Sequence, residues 1–359
     1  MKTRRPLRGN RGHLLILRRP RCASLLLLLT FSLSAGCAKT KENAGASGTT
    51  LKLLNASYDP TRELWKDLNQ AFIPAYEKET GIKLQVSQSH GASGSQARAI
   101  IDGLEADVAT LSIKSDIDAI RKKGLIKEGW ETTFPNHSLP YTSTVVFVVR
   151  KGNPKQIKDW PDLIQGDIKV ITASPKTSGN GKLSFLAAWG NVLANGGTRE
   201  DAEKFVSQLY QRVPVLDTGA RGATSTFAQK KIGDVHLALE SEAWLEVKEA
   251  GGELEIIYPP QSIIHEPHIA IVDANVDRRG IREHAEAYLD FLYTLEGQEI
   301  IARHHFRPSD PDVLEKHLKD FPPLKMFTIQ DLATDWDDAH RQFFSEGGVF
   351  DKIYSQLKR

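Results

Sequence analysis

The stretch L-K-L-L-N-A-S-Y-D-P-T-R-E, residues 51–63, decides how the chain folds. An apolar, β-like run ends in a loop where Asp59 is a good helix N-cap, Pro60 suits the first helical position and Glu63 falls in the first turn. An amphipathic helical pattern then runs over 62–79. The same order recurs as K-L-Q-V-S before 96–104 and V-A-T-L-S before 115–123. Strand, loop and helix in repetition argue for a mainly parallel α/β sheet with right-handed crossovers.

A second series begins after Pro140. T-V-V-F-V-V-R (144–150) reads as a buried strand. It is followed by K-V-I-T-A (169–173), helices over 183–193 and 202–210, P-V-L-D, a helix over 224–231 and D-V-H-L-A-L. E-P-H-I-A-I-V-D (266–273) reads as a strand that crosses back. Two α/β lobes joined by crossing strands near 141–147 and 263–269 place a cleft at a hinge, with the ligand at the carboxyl ends of the strands.

Five loops bring small or amide-rich residues to the start of a helix: S-Y-D-P-T-R-E, S-H-G-A-S-G-S (89–95), K-T-S-G-N-G-K (176–182), T-G-A-R-G-A-T-S (218–225) and, more weakly, L-A-L-E-S-E (237–242). Helix N-termini aimed at one cleft present free N–H groups and positive dipole ends, a site for an oxyanion. Taken alone, each loop is satisfied by plain capping; the number of them is what points to binding. The charged residues over 240–249 read as a solvated helix face.

The chain has 359 residues, 40% hydrophobic and 26% charged, enough for two lobes with cores. Residues 1–36 hold eight Lys or Arg and no acid, then an apolar run and small residues before Cys37. This is the order of an export signal, with a flexible tether over 37–50. Without 1–36 the formal charge falls from +2 to about −6, so nucleic acid is not an expected partner. Cys22 and Cys37 lie in or beside the leader, leaving no disulfide for the mature domain. L-S-A-G-C resembles a lipoprotein processing site with Ser34 where Leu is usual. Acylation of Cys37 and an ordinary cut at Gly36 or Ala38 both stay open.

Other chemistries fit poorly. G-N-G-K-L-S has Lys176 where a P-loop needs its first Gly, and H-G-A-S-G-S has Ser95 where a nucleophile elbow needs Gly. Ser93 and Ser178 lack a well-spaced base for ester hydrolysis. His265, His268, His304 and His305 come without the cysteines or carboxylates that would complete a metal site, and Pro267 breaks any helical spacing, so no metal or cofactor is expected.

The strings Q-S-H-G-A-S-G, P-Y-T-S-T-V-V-F-V-V-R-K-G-N-P-K-Q-I-K-D-W, V-L-D-T-G-A-R-G-A-T and Y-L-D-F-L-Y-T-L-E-G-Q-E-I resemble the periplasmic sulfate-binding proteins of bacterial ABC importers, over essentially the whole chain after the leader. That resemblance implies a two-lobed type II periplasmic-binding-protein fold, with 51–141 and 266–359 forming one lobe and 142–265 the other. It also implies a monomeric, non-enzymatic receptor that delivers sulfate or a related oxyanion such as thiosulfate to a membrane permease. Carried over residue by residue, the donors are the backbone of Asp59 and Ser93, the Ser178 hydroxyl, and the backbone of Gly179, Asn180 and Ala220. Asp116 and Arg221 match charges that balance the peptide dipoles behind the site. Where the family places a donating Trp this chain has Leu239, and the Asn180 carboxamide is the expected compensation. Trp244 is expected in the lobe core.

Overall fold

The computed structural model describes residues 50–357; the leader, the tether up to residue 49 and Cys37 lie outside them. Among the described residues, twelve strands form two sheets. The first sheet contains β1 (Leu51–Tyr58), β2 (Leu84–Gly91) and β3 (Val108–Leu111). The second contains β4 (Tyr141–Arg150), β5 (Val170–Ala173), β6 (Leu216–Asp217), β7 (Val235–Leu239), β8 (Leu254–Ile257) and β9 (Gln261–His265). Then β10 (His268–Ile271) returns to the first, and β11 (Arg307–Pro308) and β12 (Lys325–Phe327) rejoin the second.

The first sheet has the order β10-β3-β1-β2, with β1 parallel to both β2 and β3 and only β10 antiparallel. The second, in the order β12-β9-β4-β7-β5-β6, is more mixed than the sequence suggests. Its long strand β4 enters from the first lobe and runs antiparallel to β7, β8 and β9, whereas β5 is parallel to β6 and β7. The chain therefore crosses between lobes on two neighbouring strands, since Ser143 faces His265 and Thr144 faces Ile264 across the β4–β9 pair.

The helices used below are α1 (Arg62–Thr80), α2 (Ser93–Ile101), α3 (Lys114–Arg121), α4 (Gly179–Ala194), α5 (Arg199–Tyr210), α6 (Ala220–Thr224), α7 (Glu240–Glu249), α8 (Leu295–Arg303), α9 (Trp336–Ala339) and α10 (Val349–Leu357). Helix α1 ends at Gly81, whose φ of 73° gives it a left-handed cap. The segment expected as a helix over 224–231 is short α6 followed by a wider π turn over Ser225–Gln229. Helix α4 is buried from Gly179 through Asn191, so it runs through the middle of the second lobe.

One domain expectation differs from the packing. Residues 266–359 do not all sit with the first lobe: β12 pairs with β9, and Phe343, Phe344 and Phe350 surround Phe185 of α4 at 5.8, 5.4 and 6.1 Å between ring centroids. The apolar face of α4 needs a cover, and the aromatic C-terminal segment supplies it. Burial also corrects the reading of α7, because Glu240, Glu242 and Glu246 are all buried. Each has found a partner: Glu240 a guanidinium, Glu242 a hydroxyl and Glu246 an imidazole.

Candidate anion site

Beneath the first loop, a buried hydroxyl network fixes the backbone. Ser57 Oγ receives the Trp65 indole N–H at 3.0 Å and lies 2.7 Å from both Thr61 Oγ1 and Thr110 Oγ1, while Thr61 Oγ1 donates to Tyr58 O at 2.7 Å. The result is a single tight turn, Asp59–Thr61, leading into α1, with Asp59 at its start and its N–H free of any helical acceptor. The Asp59 carboxylate is held by Arg62 at 2.8 Å.

Three further helices begin at the same place. Ser93 is the first residue of α2, Gly179 and Asn180 open α4 behind the N-cap Ser178, and Ala220 opens α6. Together with Tyr58, Pro60, Ala92, Ser112 and Leu239, these residues line one cavity of about 10 Å³. That is room for a single compact ion, not for a sugar, a peptide or an ester. All six residues expected to hold the ligand thus meet in one place, and the fifth loop reaches it through Leu239. The lining contains no Lys, Arg or His among the described residues, so whatever charge enters is met by neutral donors.

The hydroxyls are already sorted by role. Ser93 Oγ donates to Asp116 Oδ2 at 2.5 Å and accepts the Ser112 N–H at 3.0 Å, which leaves its backbone N–H for the cavity and removes it as a nucleophile. Ser178 Oγ accepts the Gly181 N–H at 3.4 Å, so its own proton stays available. The Asn180 carboxamide is turned away from the expected role. Its Nδ2 lies 3.5 Å from Leu237 O and its Oδ1 accepts from Ser184 at 3.3 Å, and Asn180 sits in ordinary helical backbone. Of the Asn180 donors, this leaves the main-chain N–H at the start of α4 for the cavity.

The cavity is closed by direct contact between lobes. A Cβ on Gly179 would fall 2.6 Å from Ser112 Cβ, and one on Gly219 would fall 2.9 Å from Asp59 Oδ2. Glycine is required at these two points by close approach, not by backbone angle. Asp116 and Arg221 stand behind the lining. Asp116 Oδ1 meets Lys182 Nζ of α4 at 3.2 Å, both side chains buried, and Arg221 bridges Glu63 at 2.9 Å and Glu242 at 3.5 Å. Burial pushes the Glu242 carboxyl pKa up, and Arg221 pulls it back.

Lys182 and Ser112 were not foreseen. Lys182 follows Ser178 by one helical turn and reads locally as a solvated lysine; its burial depends on an aspartate of the other lobe. Trp244 is neither in the cavity nor in the core. It is half-buried in a separate groove of about 400 Å³, stacked on His305 at 4.4 Å with its indole N–H on Tyr258 Oη at 3.1 Å. At the hinge, His265 Nε2 donates to Ser112 O at 2.8 Å, and its burial lowers its pKa to about 3. No group of three or more potential metal ligands occurs among the described residues.

Comparison with known proteins agrees with this geometry. The family described as bacterial extracellular solute-binding protein matches residues 65–307. A sulfate-binding protein of Escherichia coli K12 is 47% identical over 327 residues, covering 90% of this chain and 97% of its own. A thiosulfate-binding protein of Pseudomonas aeruginosa is 46% identical over 313 residues, covering 87% and 94%. The solved structure of a sulfate-binding protein from Mycobacterium tuberculosis H37Rv superposes with a TM-score of 0.74 at 34% identity, over 83% of this chain and 100% of that one. The chain, with its two lobes and an anion-sized cavity between them, belongs to the bacterial extracellular solute-binding proteins, in the family of the sulfate-binding and thiosulfate-binding proteins.

Proposed function

We propose that the protein captures sulfate, or its sulfur-bearing analogue thiosulfate, in the interlobe cavity outside the cytoplasm and hands it to a membrane ABC permease. The observation that carries this reading is a cavity of about 10 Å³ whose wall is made by the starts of four helical segments and, among the described residues, holds no cationic side chain. The donors are the N–H groups of Asp59, Ser93, Gly179, Asn180 and Ala220 and the Ser178 hydroxyl. A fully deprotonated dianion accepts from all of them. Hydrogen phosphate brings a proton of its own to a donor and leaves both unpaired, so it is rejected.

Bonds made to both lobes at once favour the closed arrangement, and closure shapes the face presented to the permease. The protein acts as a monomer, and Cys37, when acylated, tethers it to the membrane through the segment before residue 51. Calorimetric titration of the ligand-stripped protein with sulfate, thiosulfate, molybdate and phosphate tests the central reading. Tight binding of a sulfur oxyanion with phosphate rejected is expected; binding of none of the four overturns it. Incorporation of labelled fatty acid that disappears in Cys37→Ser tests the tether.

A further inference from the structure

Helix α7 also begins at the cavity, but it differs from the other helix starts there. Its first turn carries two buried carboxylates. Glu240 is held by Arg307 through two bonds of 2.8 and 2.9 Å, and Glu242 accepts from Thr224 Oγ1 at 3.0 Å. Two carboxylates in the first turn offset much of the positive end of the helix dipole at this terminus. What it shows to the cavity is Leu239, the N-cap residue, wholly buried and without a polar side-chain atom. The lining is therefore unequal, with N–H and O–H donors from the other helix starts and an apolar surface at the end of β7.

We infer that this unequal lining selects a tetrahedral dianion with one soft, weakly accepting corner, and that Leu239 sets a preference for thiosulfate over sulfate. The inference rests on the oxyanion reading above and sharpens it. Sulfate presents four equivalent oxygens, all strong acceptors, and an oxygen turned to Leu239 loses its water without gaining a donor. Thiosulfate replaces one oxygen by a larger, more polarizable sulfur that hydrogen bonds weakly. That sulfur rests against the Leu239 methyl groups while the three oxygens keep the donors. Sulfate-binding and thiosulfate-binding relatives are similar to this chain to nearly the same degree, 47% and 46% identity, so overall likeness does not decide between them.

The test is calorimetric titration of the ligand-stripped protein with each anion, alone and with the other as competitor. Thiosulfate is expected to bind about tenfold or more tightly, the difference that one unmet acceptor makes. Leu239→Gln adds an amide donor at nearly the same volume and is expected to narrow that ratio by about tenfold, whereas Leu239→Met leaves it in place. The ratio is the readout because a variant that loosens the fold weakens both anions alike. Sulfate binding as tight as thiosulfate binding in the parent, or a ratio unmoved by Leu239→Gln, overturns the inference and leaves the oxyanion reading standing. Binding of neither anion by the parent overturns both.

Discussion

Lys182 Nζ on α4 lies 3.2 Å from Asp116 Oδ1 on α3, so the two lobes meet through a buried ion pair directly behind the anion cavity. The same carboxylate holds the Ser93 hydroxyl that orders the start of α2. Removing one partner strands the other charge in a desolvated place, at a cost of about 3–5 kcal/mol. Lys182→Met is therefore expected to lower anion affinity by about a hundredfold or more, because the stranded Asp116 is re-solvated only when the lobes part. The double variant Lys182→Met with Asp116→Asn is expected to recover part of the loss. A Lys182→Met protein with parental affinity in calorimetry contradicts the coupling.

Closure also depends on Gly179. Adding one methyl there places it within van der Waals overlap of Ser112 on the opposite lobe, without disturbing either lobe by itself. Gly179→Ala is expected to weaken binding by about a hundredfold while the unfolding temperature of the ligand-free protein moves by only a few degrees. Titration and thermal scans on the same sample check this, with small-angle scattering reporting whether the lobes still close on saturation.

Acid should destabilise the fold through its buried and half-buried histidines. His265 is held to a pKa of about 3, and His268 and His90 to about 4, in each case first by burial. Each takes up a proton near 6.5 when unfolded. Between these values the unfolded chain binds more protons than the folded one, so stability rises with pH. The contribution is complete above about pH 6.5 and is lost as pH falls toward 3–4. Denaturant unfolding at pH 7.5, 5.5 and 4.5 is expected to show a steady loss, and His265→Gln a shallower one. A flat profile across that range contradicts the assignment.

A second contact between lobes is exposed and correspondingly weak. Lys122, at the C-cap of α3, pairs with Asp337 of α9 at 2.6 Å, with both side chains more than a third exposed. Such a pair is worth about 0.2–1 kcal/mol. Asp337→Ala is expected to speed anion release by about two- to fivefold with little change in the association rate, and added salt should shrink the difference. Stopped-flow tryptophan fluorescence separates the two rates.

The sequence showed the helix starts clearly because capping and close approach demand particular residue types at particular spacings. Pro60 and Glu63, the glycines around Ser93 and the S-G-N-G run are local signals, and each stands where the cavity is. The alternation of short apolar runs with amphipathic helices likewise carried the first sheet. What local pattern does not hold is pairing at long range. Lys182 is indistinguishable in sequence from a surface lysine, because the aspartate that buries it lies on α3. The carboxylates of α7 look like a wetted face until Arg307, Thr224 and His236 are seen packed on them. The direction of β4 and the seat of the C-terminal segment are also set by partners far along the chain.

That segment has a consequence for the order in which the molecule is made. Phe327 closes against Gly190 so tightly that a Cβ there would overlap its ring, and Phe343 meets Trp189 edge-on with 5.0 Å between ring centroids. The core of the second lobe is thus finished by residues synthesised long after the helix they cover. Until they emerge, the aromatic side of α4 around Phe185 and Trp189 lacks part of its cover, and closing so long a loop is slow. A lobe finished by residues so far along the chain stays open while the earlier ones are made, and it closes only once the aromatic segment has been added.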